Sequence, residues 1–263
     1  MPYAHNGPVK LHWEEHGHGA TLVLIMGHVF PADLWYPVLT ALAEHRRVIT
    51  FDNRGTGRSD ATRTHTIGDM CDDVLAVMDA AGAETADVFG VSMGGGIAIE
   101  LARRAPSRVT SIVLGCTRIK TEPAPVSRRA RLIYLVPYRW LSARAGTSAY
   151  GSACPPDAAE RDISVLRGMR YSRTGAWAQA KAIAQYALPL SEAAHITQPA
   201  LVLHGDEDGA IPVAEARLIA DTLPNSRYVE YRGAGHNFLV SYPERVVADV
   251  LDFLPVQDPA ASA

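Results

Sequence analysis

The sequence predicts an α/β fold built on a mostly parallel sheet, with helices on both faces and a helical insertion after the strand that ends near Gly115. The first observation is that short, continuously apolar segments alternate along the chain with segments of helical periodicity. Such apolar strands are typical of parallel sheets that helices cover on both faces. The second observation is that this alternation stops between residues 118 and 190, where helical segments and prolines replace it.

Before the insertion, strands and helices are predicted to follow one another in turn. Residues 9–14 alternate apolar and polar side chains, as a half-buried strand does, and buried strands follow at residues 21–26, 47–51, 87–91 and 109–115. Helical periodicity covers residues 34–45 and 97–104. A further helix is predicted to begin after Thr66, with Asp69 as its capping-box partner.

The sheet pattern returns after Pro199. Buried strands are predicted at residues 200–204 and 227–231, and helices at residues 213–223 and 244–254. We therefore predict one core domain formed by residues 1–117 and 191–263, with residues 118–190 as a helical lid.

The composition indicates a globular protein and excludes several classes of partner. Hydrophobic residues make up 48% and charged residues 20% of the 263 residues, and a net charge of −3 gives no reason to expect nucleic acid. The 3 cysteines are far apart and odd in number, so neither a disulfide framework nor a metal site is predicted. The amino-terminal segment has no signal-peptide core, and no stretch approaches a membrane span. We expect a cytoplasmic protein without metal, cofactor or membrane contact, and the oligomeric state stays open.

A strand-to-helix turn carries the strongest chemical signal. Ser92 lies between a buried strand and a helix, with Gly90 two residues before it and Gly94 two residues after it. Glycines at these positions permit a turn so tight that the serine hydroxyl stands clear of the sheet. This G-x-S-x-G pattern, in its strand–turn–helix context, predicts a nucleophile.

Two further loops supply partners for that serine. Ligand sites in open α/β sheets lie at the carboxyl ends of the parallel strands, where the loops with Ser92, Asp206, Asp208 and His236 are predicted to meet. A serine hydroxyl needs a base, and the imidazole of His236 suits that task at neutral pH. The base in turn needs a carboxylate to orient it, and from position alone both Asp206 and Asp208 qualify.

These motifs resemble the α/β-hydrolase superfamily, in particular its small bacterial esterase, enol-lactonase and cofactor-free haloperoxidase branch. The resemblance covers nearly the whole chain, and its matching pieces are residues 26–28, 51–60, 90–95, 204–212 and 235–237. It implies a metal-free and cofactor-free serine hydrolase with Ser92 as nucleophile, His236 as base and Asp208, rather than Asp206, as the orienting acid. It also implies that the polar loop at residues 52–60 is structural.

The resemblance further implies two backbone amides that would hold the oxyanion, those of Met93 and His28. Met93 directly follows the nucleophile. Family members mostly have His-Gly-X at the end of the first buried strand, whereas this chain has Met26-Gly27-His28. The displaced imidazole of His28 either lines the pocket or donates a hydrogen bond to the substrate.

The insertion is expected to set substrate specificity. Residues 118–190 hold 12 Lys and Arg against 4 acidic residues, a net charge of +8. An excess of this kind attracts anionic substrates, but it more often belongs to a solvated helix face, so an anionic substrate is a hypothesis only. The aromatic candidates for the substrate pocket are Phe30, Trp35, Tyr134, Tyr138, Trp140 and Trp177.

The predicted function is hydrolysis of a small or medium carboxylic ester or lactone, with a small molecule as the only partner. Perhydrolysis, acyl transfer, carbon–carbon bond hydrolysis and lyase chemistry use the same triad and stay open. A serine at residue 92 argues against the epoxide and haloalkane hydrolases of the superfamily, which carry aspartate there. A ligand-binding receptor on this scaffold is the alternative outside enzymes.

Overall fold

The computed structural model describes residues 2–126, 149–169 and 172–254. Its centre is an eight-stranded sheet whose strands, in chain order, are β1 Tyr3–Asn6, β2 Val9–His16, β3 Thr21–Ile25, β4 Arg47–Phe51, β5 Ala86–Val91, β6 Val109–Gly115, β7 Ala200–Gly205 and β8 Ser226–Tyr231. In space they follow the order β1-β2-β4-β3-β5-β6-β7-β8. Strands β3 to β8 pair in parallel, whereas β2 is antiparallel to both of its neighbours. The predicted fold class is therefore confirmed.

Helices connect the strands and cover the sheet. They are a 3₁₀ helix at Ala32–Trp35, α1 Leu39–Ala43, α2 Ile67–Ala80, α3 Met93–Arg104, α4 Pro156–Gly168, α5 Arg173–Gln185, α6 Leu190–Ala193, α7 Val213–Thr222, α8 Phe238–Ser241 and α9 Pro243–Phe253. The capping box of Thr66 and Asp69 forms as predicted. None of these helices is both long and apolar enough to cross a membrane.

One predicted helix was wrong in its extent. Residues 34–45 do not form a continuous helix, because the chain makes a 3₁₀ turn up to Trp35 and starts α1 only at Leu39. Pro37 lies in the gap. A proline has no amide hydrogen to donate and its ring clashes with the preceding turn, so the helix is interrupted there.

Alternating side chains of the central strands fill two hydrophobic clusters, one on each face of the sheet. In β5, Val88 belongs to one cluster and Phe89 to the other, and in β6 Ile112 and Val113 divide in the same way. Helices α2 and α3 pack on the face of Val88, whereas the 3₁₀ helix, α1 and α9 pack on the face of Phe89. All four side chains are fully buried, as a sheet covered on both faces requires.

The polar loop at residues 52–60 is held by buried hydrogen bonds. The Asp52 carboxylate accepts from the amides of Ala32 and Arg58, each at 2.8 Å, and the Asn53 side chain donates to the Met26 carbonyl at 2.9 Å. Arg54 forms a buried ion pair with Asp73 on α2. These bonds fit the structural role expected for the loop.

The chain between β6 and β7 spans residues 116–199 and includes the predicted lid of residues 118–190; from here on, the whole of it is called the insertion. Its described residues contain α4, α5 and α6 and no strand. Two backbone hydrogen bonds, from Ala124 to the Ala184 carbonyl and from Leu188 to the Lys120 carbonyl, join its first residues to the end of α5 and the segment that follows α5. The division into a core domain and a lid domain stays a prediction.

Candidate active site

The turn at Ser92 is the sharp strand-to-helix elbow that its glycines predicted. Ser92 has φ +54°, a left-handed conformation that is strained for a residue with a side chain. A Cβ on Gly90 would collide with the Gly94 carbonyl, and a Cβ on Gly94 would collide with the Ile25 carbonyl in β3. The packing of the elbow against the sheet therefore requires both glycines.

His236 lies between the serine and a carboxylate. Its Nε2 is 3.1 Å from the Ser92 Oγ, and its Nδ1 is 2.7 Å from the Asp208 Oδ2. The carboxylate can only accept, which assigns the ring hydrogen to Nδ1. Nε2 is then a lone-pair acceptor that faces the serine hydroxyl, the geometry of a base beside its nucleophile.

Asp208, and not Asp206, faces the histidine. The Asp208 Oδ1 accepts hydrogen bonds from the amides of Ala210 and Ile211 at 2.7 and 2.9 Å. Burial alone would raise the pKa of Asp208, but hydrogen bonds from His204 and His236 outweigh it and hold the pKa well below its usual value. Asp206 instead accepts from the Gly233 amide at 2.5 Å. The structure thus places Asp208, and not Asp206, against the His236 Nδ1.

The loop after β3 lies beside the elbow. A Cβ on Gly27 would lie 3.2 Å from the Cβ of Ser92 and 3.8 Å from its Oγ. The backbone at Gly27 and His28 therefore lies next to Ser92. Met93, the next residue after Ser92, is the first residue of α3. The two amides predicted to hold the oxyanion therefore belong to segments that flank the serine hydroxyl.

The imidazole of His28 bonds to the insertion. Its Nε2 donates to the Ala176 carbonyl of α5 at 2.9 Å, and burial lowers the pKa of the ring, which favours the neutral form. The next amide, that of Val29, donates to the Gln179 side chain of the same helix at 2.9 Å. The imidazole at the third position of this motif, rather than at the family's usual first position, thus fastens the loop after β3 to α5.

The aromatic residues predicted to line the pocket have different positions. Trp35 requires a correction, because its side chain is fully buried in the core and its ring centroid lies 4.9 Å from that of Phe89. Phe30 is half-buried beside the same cluster. Trp177 lines a groove of about 330 Å³ between α5 and residues 123–126. Tyr134, Tyr138 and Trp140 lie outside the described residues.

One group in the described ranges has the side chains of a metal site. Cys116, His204 and Asp208 offer ligand atoms that lie within 4.8 Å of one another. Two of these side chains already bind other groups, since the His204 Nε2 donates to the Ile211 carbonyl at 2.9 Å and the Asp208 Oδ2 accepts from His236 at 2.7 Å. Burial also raises the pKa of the Cys116 thiol well above its usual value, which disfavours the thiolate that binds metals. The cluster does not suit a metal ion, and a metal-free site stays our prediction.

Sequence reasoning missed several residues around the triad. His204 is the last residue but one of β7, and its Nε2 lies 3.3 Å from the Asp208 Oδ2. Asp162 of the insertion accepts hydrogen bonds from Asn237, in the loop of His236, and from the Tyr150 hydroxyl. The only local signal was the position of His204, four residues before Asp208 at the end of a buried strand.

Comparisons with known proteins identify the family of this chain. The family model described as alpha/beta hydrolase fold matches residues 20–242. The chain belongs to the alpha/beta hydrolase family. It is thus a hydrolytic enzyme of that superfamily, as its predicted family resemblance implied.

Similar hydrolases include proteins with several different names. A protein of Azorhizobium caulinodans, named putative carbamate hydrolase RutD, is 31% identical and is matched over 93% of this chain and 94% of its own length. Putative non-heme bromoperoxidase BpoC of Mycobacterium tuberculosis is 32% identical, over 93% of this chain and 97% of its own. The crystal structure of the enol-lactonase from Burkholderia xenovorans LB400 is 28% identical with a TM-score of 0.84, over 96% of this chain and 99% of its own.

Proposed function

We propose that the protein is a serine hydrolase that cleaves a small or medium carboxylic ester or lactone through an acyl-enzyme on Ser92. The observation that carries the proposal is the line of hydrogen bonds from the Ser92 Oγ through His236 to Asp208, with distances of 3.1 and 2.7 Å. The similarity to an enol-lactonase supports the substrate class.

In the first half of the reaction, His236 Nε2 takes the proton from the Ser92 hydroxyl as the oxygen attacks the acyl carbon. The Asp208 carboxylate stabilises the imidazolium that forms, and the backbone amides of His28 and Met93 hold the oxyanion. The carbon–oxygen bond to the alcohol then breaks, and Nε2 returns the proton to the leaving oxygen.

In the second half, water replaces the alcohol. His236 removes a proton from the water as its oxygen attacks the acyl-enzyme, and the bond to the Ser92 Oγ breaks. The serine recovers its proton from Nε2 and the carboxylic acid is released. A lactone follows the same steps, except that the alcohol stays attached to the acyl group.

A carbamate is the second candidate substrate, because the chain is 31% identical to a protein named putative carbamate hydrolase. The same attack by Ser92 applies to a carbamate carbonyl, whose attached nitrogen makes the carbon less electrophilic. The substrates in the relatives' names therefore differ in whether a nitrogen is bonded to the carbonyl carbon. The attack by Ser92 is the same in both cases.

The test compares matched substrates. p-Nitrophenyl acetate, butyrate and hexanoate, a p-nitrophenyl N-alkyl carbamate of matched length, and a simple lactone are incubated with the wild type and with Ser92→Ala. We expect multiple turnovers on an ester or the lactone, with a higher kcat/KM than on the carbamate, and a loss on the order of 10³-fold or more in Ser92→Ala. Fast carbamate turnover with slow ester turnover would favour the second candidate, and equal activity of the variant would refute the serine mechanism.

A further inference from the structure

The loop that carries His236 is bound by a segment of the insertion. The Gly235 amide donates to the Tyr150 carbonyl at 2.8 Å, and the Asn237 amide donates to the Ala149 carbonyl at 2.7 Å. Ser241, in α8 directly after the loop, donates its hydroxyl to the same Tyr150 carbonyl at 2.9 Å. The residues on both sides of His236 are therefore fixed by backbone atoms of residues 149–150.

The two chain segments approach so closely that glycines are needed between them. Gly151 has φ +76°, and a Cβ there would collide with the Gly233 carbonyl and the Gly235 amide. The Ala153 amide closes this contact by donating to the Gly233 carbonyl at 2.8 Å. The backbone of residues 149–153 thus contacts the loop on both sides of His236, and these five residues are called the support below.

A buried carboxylate of α4 connects this support to the core. Asp162 is 1% exposed, and its Oδ2 accepts from the Tyr150 hydroxyl at 2.7 Å and from the Asn237 side chain at 3.3 Å. Its Oδ1 accepts from the hydroxyl of Tyr36, after the 3₁₀ helix, at 3.0 Å. One carboxylate of the insertion therefore binds a tyrosine of the core, a tyrosine of the support, and the residue next to His236.

The donors around Asp162 are neutral hydroxyl and amide groups, which makes its burial costly. Burial raises the pKa of Asp162, and the hydrogen bonds from Tyr150, Tyr36 and Asn237 lower it again. A buried carboxylate is tolerated only when its lone pairs are satisfied in this way. Because these bonds depend on direction, they fix the position of Asn237.

The same segment also contacts the loop of the acid. The amide and the hydroxyl of Ser152 both donate to the Glu207 carboxylate at 2.7 Å, directly before Asp208 in the chain. The insertion thus contacts the loops of both partners of Ser92.

We propose that Asp162 is a positioning residue that holds the His236 ring in line with Ser92 through Asn237 and Tyr150, an inference that rests on the proposed function. Asp162 touches neither the substrate nor the reacting atoms. Its effect reaches the chemistry through the distance between the His236 Nε2 and the Ser92 Oγ. The insertion then takes part in assembling the triad in addition to enclosing a substrate.

The test uses Asp162→Asn and Tyr150→Phe, which keep the side-chain shapes but weaken the hydrogen bonds of this network. The matched control is Asp157→Asn on the same helix, because the Asp157 side chain is 77% exposed. We expect kcat to fall about 10- to 100-fold in the two test variants with KM within about twofold, since a small misplacement of a catalytic group costs roughly this much. The control should match the wild type, and thermal unfolding identifies any variant that does not fold.

A second readout does not depend on turnover. In the wild type, the His236 Nδ1 hydrogen bonded to Asp208 should give a low-field proton resonance, which His236→Gln removes. We expect this resonance to shift or broaden in Asp162→Asn and Tyr150→Phe but not in Asp157→Asn. An unchanged resonance and kcat in the test variants would overturn the positioning role. A wild type that gives the resonance but turns over no substrate would refute the proposed function instead. In that case the positioning role of Asp162 would be judged from the resonance of the variants alone.

Discussion

The Asp208 Oδ2 accepts a hydrogen bond from the His236 Nδ1 at 2.7 Å, and this bond sets the tautomer of the imidazole ring. Its other oxygen is fixed by two backbone amides. The carboxylate is therefore held in place from one side and aligned with the histidine on the other.

The two neighbouring aspartates should differ sharply on substitution. Asp208→Asn should lower kcat roughly 10³- to 10⁴-fold, because an amide stabilises the wrong tautomer and offers no charge to the imidazolium. Asp206→Asn is the matched control, since its side-chain oxygen can still accept from the Gly233 amide. Ester hydrolysis by both variants measures the difference. A large loss in Asp206→Asn and a small one in Asp208→Asn would reverse the assignment of the acid.

The glycines of the elbow give a matched test of packing. Gly94→Ala should lower the free energy of unfolding by about 1–3 kcal/mol or more, because its Cβ meets the backbone of β3. Gly96→Ala, two residues further along α3, meets nothing within 4 Å and should raise it by up to ~1 kcal/mol through helix propensity. Urea denaturation measures both variants. Similar effects of the two substitutions would contradict the close contact at Gly94.

His65 should make stability depend on pH. Burial, together with nearby Arg54, lowers the pKa of His65 from 6.5 to about 4, and the side chain is only 7% exposed. Since the unfolded chain binds the proton first, this contribution is present above pH 6.5 and is lost as the pH falls towards 4, by about 3 kcal/mol.

His65→Gln removes the titrating group and should flatten this part of the stability curve. The same substitution at the exposed His5, His5→Gln, provides the control. Denaturant midpoints measured between pH 4 and 7 compare the three proteins. A wild-type slope that persists in His65→Gln would show that another group causes it.

Two ion pairs should differ in their effect on stability. Asp73→Ala leaves the buried guanidinium of Arg54 without its main partner and should cost about 3–5 kcal/mol. Asp79→Ala breaks a pair with Arg108 in which the Asp79 side chain is 65% exposed, and should cost less than ~1 kcal/mol. Chemical denaturation tests the contrast, and equal losses would contradict a structural role of the Arg54 loop.

Much of the fold was predictable because its signals are local. Strands β3 to β7 are mostly apolar, and the elbow at Ser92 shows its glycines directly in the sequence. Strand β1 was missed because its four residues, Tyr3–Asn6, are largely polar and depend on pairing with β2. The helix predicted at residues 34–45 failed because apolar periodicity was given more weight than Pro37.

The surroundings of the triad were not predictable in the same way. Asp162 and Asn237 are 75 residues apart in the chain, and no spacing within either segment indicates their contact. Trp35 shows the same limit, since its type suits a pocket wall and a core equally well, and only the packed structure places it against Phe89. Contacts between distant segments leave no periodic pattern, whereas strands and turns do.

The most direct test of the central claim is the intact mass of the protein after reaction with a fluorophosphonate probe. If Ser92 is a nucleophile activated by His236, the wild type should gain the mass of one phosphonyl group, and Ser92→Ala should gain none. A wild type that stays unlabelled, or a Ser92→Ala variant that is labelled as fast as the wild type, would contradict the account.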